Sequence, residues 1–229
     1  MKEKNFIVKG NICFSESPEK IRTEEQGFAV CLNGVSQGVF SQIPEEFRNL
    51  PVLDFGSNLI LPGLTDLHIH APQYGFRSLG MDLELLEWLN TRTFPEEERY
   101  ENEEYARKGY SIFAEDLKMG ATTRVCAFGT IHRKSTEILM DCMEESGLIS
   151  KVGKVNMDRN GSPGLTEESP EKSLEETLLW LEETKDRYEN VSPILTPRFV
   201  PSCSDELLKG LGELGRKRGL PVQGALPLV

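Results

Sequence analysis

The rhythm of apolar and polar positions along the chain changes near residue 60. Before it, short apolar runs alternate with turn chemistry: Phe6-Ile7-Val8 ahead of Gly10-Asn11, then Ile12-Cys13-Phe14, then Phe28-Ala29-Val30-Cys31-Leu32 ahead of Asn33-Gly34. Asn-Gly between two apolar runs signals a hairpin, because a two-residue turn needs positive φ at both central positions and these residues adopt it at least cost. With a last strand around 52–55, the pattern predicts a small β domain over residues 1–60.

From Leu64 onward, strand-like runs alternate with helical periodicity. A strand over 64–69 leads to a helical stretch that stops at Gly120, and a second strand follows over 121–128. A helix over 134–145 ends at Gly147 and a third strand covers 149–157. Ser169-Pro170 is an N-cap followed by a first-turn proline, opening a helix whose apolar stripe reads Leu174, Leu178 and Leu181. A fourth strand over 193–200, a helix marked by Leu207, Leu208, Leu211 and Leu214, and a fifth strand from Leu220 complete the series. Repeated strand-helix units imply parallel strands, because each crossover returns the chain over the sheet face.

The fold class is therefore α/β, with residues 61–229 as its second domain. Four full units and the start of a fifth fit the first half of a (β/α)8 TIM-type barrel, which takes eight strands and about 250 residues to close. The alternative is an open five-stranded parallel sheet, but no Gly-x-Gly-x-x-Gly turn or Gly-x-x-x-x-Gly-Lys loop follows any strand.

Charge and cysteine content remove several classes. The 37 acidic and 26 basic side chains of the 229 residues leave a net charge of −11, which argues against a nucleic-acid-binding surface. No apolar run approaches the roughly 20 residues that span a bilayer, and Phe6-Ile7-Val8 is too short for a secretion signal. A cytoplasmic protein without a membrane partner is expected. Cys13, Cys31, Cys126, Cys142 and Cys203 are odd in number and widely spaced, so reduced thiols are expected. The His-x-Glu and Pro-Cys-x-x-Cys signature of the cytidine-type zinc deaminases is absent.

Two of the three histidines form His68-Ile69-His70 at the end of an apolar strand. Residues two apart on a strand project to the same face, so the pair can offer two imidazoles to one ion, and imidazole suits zinc or iron. The plainer alternative places one histidine in the core and the other on the surface. Asp66 shares the same face on strict alternation and is expected to support the strand or the pair.

The run Pro62-Gly63-Leu64-Thr65-Asp66-Leu67-His68-Ile69-His70 resembles the first-strand motif of the amidohydrolase superfamily. Within it, Ala71-Pro72-Gln73-Tyr74, Thr93-Phe94-Pro95, Lys154-Val155-Asn156-Met157-Asp158 and Thr196-Pro197-Arg198-Phe199 are similar to the guanine deaminase family, in the same order and spacing. The resemblance implies that His68 and His70 are ligands to one zinc ion and that His70, Gln73, Arg198 and Phe199 bind the purine. It implies hydrolytic deamination of guanine to xanthine and ammonia by a homodimer, and a small β-sandwich domain of which residues 1–60 are the first part. Amide, guanidinium and aromatic face suit a flat ring with polar edges. For Arg198 the plainer reading is a surface ion pair, and for Phe199 a core aromatic. His132 also matches the family pattern and is either a pocket-mouth residue or a helix-start residue; Trp88 is expected to pack a helix.

The chain departs from the family where the fifth strand should carry Ser-His-x-Ser-Glu-Asn: Gln223 is followed by Gly224-Ala225-Leu226-Pro227-Leu228-Val229. The family's third zinc ligand and proton-shuttling carboxylates have no counterpart, so the catalytic residues are unassigned and this chain alone is expected to be inactive. A fragment, a frameshifted product or one part of a split gene is the expectation. The alternatives are an amidohydrolase acting on a pterin, cytosine or triazine ring, and a catalytically dead remnant that binds without turnover.

Overall fold

A computed structural model describes residues 4–225, and the expectations that fall on 1–3 and 226–229 lie outside the described residues. Two compact units are present, Met1–Gly63 and Leu64–Val229.

The first unit is a four-stranded sheet of β1 (Phe6–Ser17), β2 (Lys20–Leu32), β3 (Val35–Phe40) and β4 (Val52–Ile60), in the order β3-β2-β1-β4. Asn33 and Gly34 take φ of 52° and 79° and pair Leu32 with Val35, the hairpin expected from their chemistry. The expected turn at Gly10-Asn11 does not form. β1 runs straight through it, and Glu25 and Gln26 of β2 bulge opposite Asn11. The Asn11 side chain uses the irregularity: its Oδ1 accepts from the Gln26 N–H at 3.1 Å and its Nδ2 donates to the Ser57 carbonyl at 2.9 Å. Among the described residues of this unit, Ile7, Ile12 and Val30 are the buried large apolar side chains.

The second unit is α/β. Strands β5 (Leu64–His70), β6 (Thr122–Phe128), β7 (Ile149–Gly153) and β9 (Val191–Pro193) form a wholly parallel sheet in the order β5-β6-β7-β9. β8 (Val155–Asn156) pairs in parallel with β10 (Thr196–Pro197), and parallel bridges join Leu195 to Val222 and Phe199 to Ala225. The expected strand over 193–200 is thus split, because Pro193 and Pro197 have no N–H to give a ladder. The expected strand over 149–157 breaks at Lys154, which is buried and turns its Nζ to the Val155 carbonyl at 3.2 Å. Among the described residues, the expected fifth strand from Leu220 takes the form of the bridges at Val222 and Ala225.

The single helical stretch expected before Gly120 is several pieces. A 3-10 segment Ala71–Phe76 is followed by α1 (Leu85–Trp88), a π-helical turn Leu89–Thr93, α2 (Phe94–Glu98), a second 3-10 turn Arg99–Glu101 and α3 (Glu103–Met119). Asn102 starts α3, its Oδ1 accepting from the Tyr105 N–H at 2.9 Å. α5 (Pro170–Glu183) starts at its expected cap, Ser169 accepting from the Lys172 N–H, and α4 (Arg133–Ser146) ends at the expected Gly147, while α6 (Asp205–Arg218) starts at Ser204, which accepts from the Leu207 N–H.

The buried face of α5 differs from expectation: Ser173, Thr177, Trp180 and Leu181 are inside, while Leu178 is exposed. Asn156 decides this, donating from Nδ2 to the Ser173 and Thr177 hydroxyls at 2.8 Å each, so a polar core contact fixes the rotation of the helix. Helices and sheet enclose one large apolar core that includes Phe113, Leu139, Met143, Trp180 and Leu211. Among the described residues, no helix is long and apolar enough to cross a membrane.

Candidate functional site

The site is built at the C-terminal ends of β5, β6 and β10. Along β5 the register slips: Asp66 pairs with Val125 and Ile69 with Ala127, so three steps of β5 match two of β6. Such a bulge re-aims side chains. Asp66 turns back on its own strand and accepts from the His68 N–H at 3.0 Å, which makes it a support for the local backbone. His68 and His70 converge, their Nε2 atoms 3.3 Å apart. Both rings rest on Phe128 at the end of β6, His70 stacked at a centroid distance of 4.3 Å and His68 tilted at 4.8 Å.

His68 is exposed, whereas His70 is partly buried and its Nδ1 is shielded from water without a partner. Burial, then the Arg198 guanidinium and then His68, hold the His70 imidazole well below its ordinary pKa and favour the neutral form. A neutral imidazole keeps the lone pair that a metal needs. Two imidazole nitrogens on one strand end fit zinc's donor preference, although a catalytic zinc site ordinarily has three protein ligands. Among the described residues, no group of three or more His, Cys, Asp or Glu side chains gathers around one point.

The polar groups beside this pair share one carboxylate. Glu97 in α2 is fully buried and accepts from Arg198 through both terminal nitrogens, the Nη2 contact being 3.1 Å. It also accepts from Gln73 Nε2 at 2.8 Å. Arg198 is buried and lies over the Phe94 ring at 5.3 Å from its centroid, so it is not the surface ion pair of the plainer reading. Glu97 was missed from sequence. The available signal was weak: a carboxylate two residues beyond Phe94-Pro95, in a run of three glutamates.

The remaining sequence candidates separate. Phe199, next to Arg198, is partly buried and bridges to Ala225. His132 stands apart from the histidine pair as the residue before α4, lining a cleft of about 380 Å³ with Glu101, Glu167 and Lys172. Its Nε2 is shielded without a partner, and burial lowers its pKa. Trp88 packs against Phe76 at a centroid distance of 5.8 Å and donates to the Leu79 carbonyl at 3.1 Å, the packing role expected of it. Gln223 bonds the Ala127 carbonyl and the Thr196 hydroxyl, tying the fifth strand region to β6 and β10. All five cysteines are free thiols.

The sequence model of the amidohydrolase family matches residues 59–226. The guanine deaminase of Mus musculus is 41% identical over 182 residues, covering 79% of this chain and 39% of that protein. The guanine deaminase of Escherichia coli is 38% identical over 168 residues, covering 72% and 36%. The crystal structure of guanine deaminase from C. acetobutylicum with bound guanine in the active site superposes with a TM-score of 0.91 at 44% identity, covering 96% of this chain and 52% of that one. The chain therefore spans about half or less of the length of these relatives. The family match takes in the histidine pair, the Glu97 clamp and the parallel strands that carry them, and the chain belongs to the amidohydrolase family.

Proposed function

We propose that this chain carries the metal-binding and purine-binding part of a zinc-dependent guanine deaminase, which adds water to guanine and releases xanthine and ammonia in the complete protein. The observation that carries the reading is the convergence of His68 and His70 beside the buried Arg198 and the half-buried Gln73. The guanine deaminases it resembles support the choice of substrate.

In this reading His68 and His70 hold one zinc ion through Nε2, and zinc when bound supplies the Lewis acidity that makes water nucleophilic near neutral pH. Arg198 and Gln73 take the polar edge of the base, and Phe199 covers its face. His70 serves both sets, as ligand and as a wall of the purine pocket. No residue here is assigned the proton transfer to ring nitrogen and leaving amine, so the chain alone is inactive. The parallel strands from β5 onward are the first part of a (β/α)8 barrel, and β1–β4 the first part of a small sandwich domain. The complete protein is a cytoplasmic homodimer in this reading.

The test is equilibrium dialysis of the purified chain against zinc, with ammonia release from guanine measured in parallel. About one equivalent of zinc is expected, lost in the His68→Ala/His70→Ala double variant, with no ammonia released by the chain alone. Zinc uptake unchanged by the double substitution overturns the metal assignment. Guanine turnover by the chain alone overturns the requirement for further catalytic residues.

A further inference from the structure

We infer that Glu97 is a positioning residue that sets the hydrogen-bond polarity of the purine pocket, so that the pocket selects an oxopurine over an aminopurine. The inference rests on the functional reading just given, but the argument for it is local.

Glu97 is fully buried and its carboxylate has only acceptor sites. At 2.8 Å it forces Gln73 to present its amide NH2, because the other orientation would set two acceptor oxygens against each other. The Gln73 carbonyl oxygen must then face away from Glu97, and it has no protein donor among the described residues. The same carboxylate takes one N–H from each terminal nitrogen of Arg198 in a fork, which locks the plane of the guanidinium. Of the five N–H donors of the arginine, the three outside the fork have no side-chain or backbone acceptor among the described residues.

Glu97 therefore leaves two groups of opposite polarity free: an acceptor on Gln73 and donors on Arg198. Gln73 follows β5 and Arg198 follows β10, each just past the C-terminal end of its strand. A ligand edge that matches has a ring N–H beside a carbonyl, as guanine does. Diaminopurine keeps guanine's other amino group but inverts both positions, offering a bare ring nitrogen and an amino group. It would set donor against donor and acceptor against acceptor, and an unpaired polar group in a site built to bond it is strongly disfavoured.

The experiment is equilibrium dialysis of the 229-residue chain with radiolabelled guanine, with diaminopurine as competitor. The unsubstituted chain is expected to prefer guanine by about tenfold or more, the value of one charge-assisted hydrogen bond. In Glu97→Gln the Gln73 amide is free to rotate, so guanine binding weakens by about tenfold and the preference over diaminopurine falls toward one. Removing charge from a buried pair also destabilises the fold. Glu97→Asp is therefore run beside it, and it is expected to weaken binding while keeping the preference, because charge and acceptor polarity are retained. A purely structural Glu97 lowers affinity for both purines alike. That result, or equal affinities in the unsubstituted chain, overturns the inference. An unsubstituted chain that binds neither purine overturns the functional reading, and the inference with it.

Discussion

Gly153, the last residue of β7, occupies a space that no side chain fits: a Cβ there would lie 1.8 Å from Thr196 Oγ1 and 2.8 Å from the Ile194 carbonyl. The close approach lets β7 end against β10, two residues ahead of Arg198, and lets Gly129 donate to the Gly153 carbonyl at 2.9 Å. Gly153→Ala is expected to destabilise the chain by about 1–3 kcal/mol through overpacking, read as a lower urea midpoint at unchanged slope. The adjacent Lys154 is a second test at this scale. Its Nζ is buried against Glu167 at 2.6 Å, and Glu167 in turn accepts from Ser173 Oγ at 2.5 Å and the Met157 N–H at 3.0 Å. Lys154→Ala leaves a buried carboxylate without its counter-ion and is expected to cost about 3–5 kcal/mol in chemical unfolding. Lys154-Val155-Asn156 is readable in the sequence as a motif, but its buried partner thirteen residues on is not, because no periodicity links them.

At the scale of elements, α4 and α5 are joined by a charge cluster. Arg133 bonds Glu183 and Glu176, the latter at 2.9 Å, and Lys134 bonds Glu183 at 3.0 Å and Glu137 at 3.1 Å. Hydrogen bonds from Glu137 and Lys134, with Arg133, hold Glu183 down at about 2. Burial pushes Glu176 up, but its bonds to Arg133 and Lys172 outweigh it and the net direction is down. Glu137 moves the other way, raised by burial and by its bond to Glu183, and partly offsets the gain. A carboxylate depressed in the fold stabilises it above the unfolded value of 4.5, and that stability is lost as pH falls through the folded value of about 2. The thermal midpoint is therefore expected to fall over that interval. Glu183→Gln should lower the midpoint near pH 7, leave it unchanged near pH 2 and flatten the acid limb. Glu183 is 40% exposed, so water screens much of the effect. The start of α5 at Ser169 and the stop of α4 at Gly147 were readable, since each depends on bonds within a few residues, whereas the caps at Asn102 and Ser204 emerged only in the structure. The rotation of α5 was not readable, because Asn156 on a distant strand selects Ser173 and Thr177 over Leu178.

Over the whole molecule, the sheet of the second unit leaves a strand edge open. β5 has a neighbour on one side only among the described residues, and Leu64 and Leu67 along it are 58% and 74% exposed. An apolar edge of this kind pairs with other chains. Sedimentation velocity is expected to show association that grows with protein concentration, and Leu67→Lys to reduce it; a monomer across the accessible range would refute the expectation. The sequence by itself determined what depends on near neighbours: the α/β alternation, the Asn33-Gly34 hairpin, the Ser169 cap, and two imidazoles spaced to meet at the end of one strand. Strand and helix periods act over a few residues, so each of these was legible along the chain. Only the tertiary structure decided that Glu97 would be buried between Gln73 and Arg198, 24 and 101 residues away, and that a slip in β5 would turn Asp66 from the pair. A buried carboxylate takes the donors that packing brings to it, and which donors those are depends on how the strands close around it.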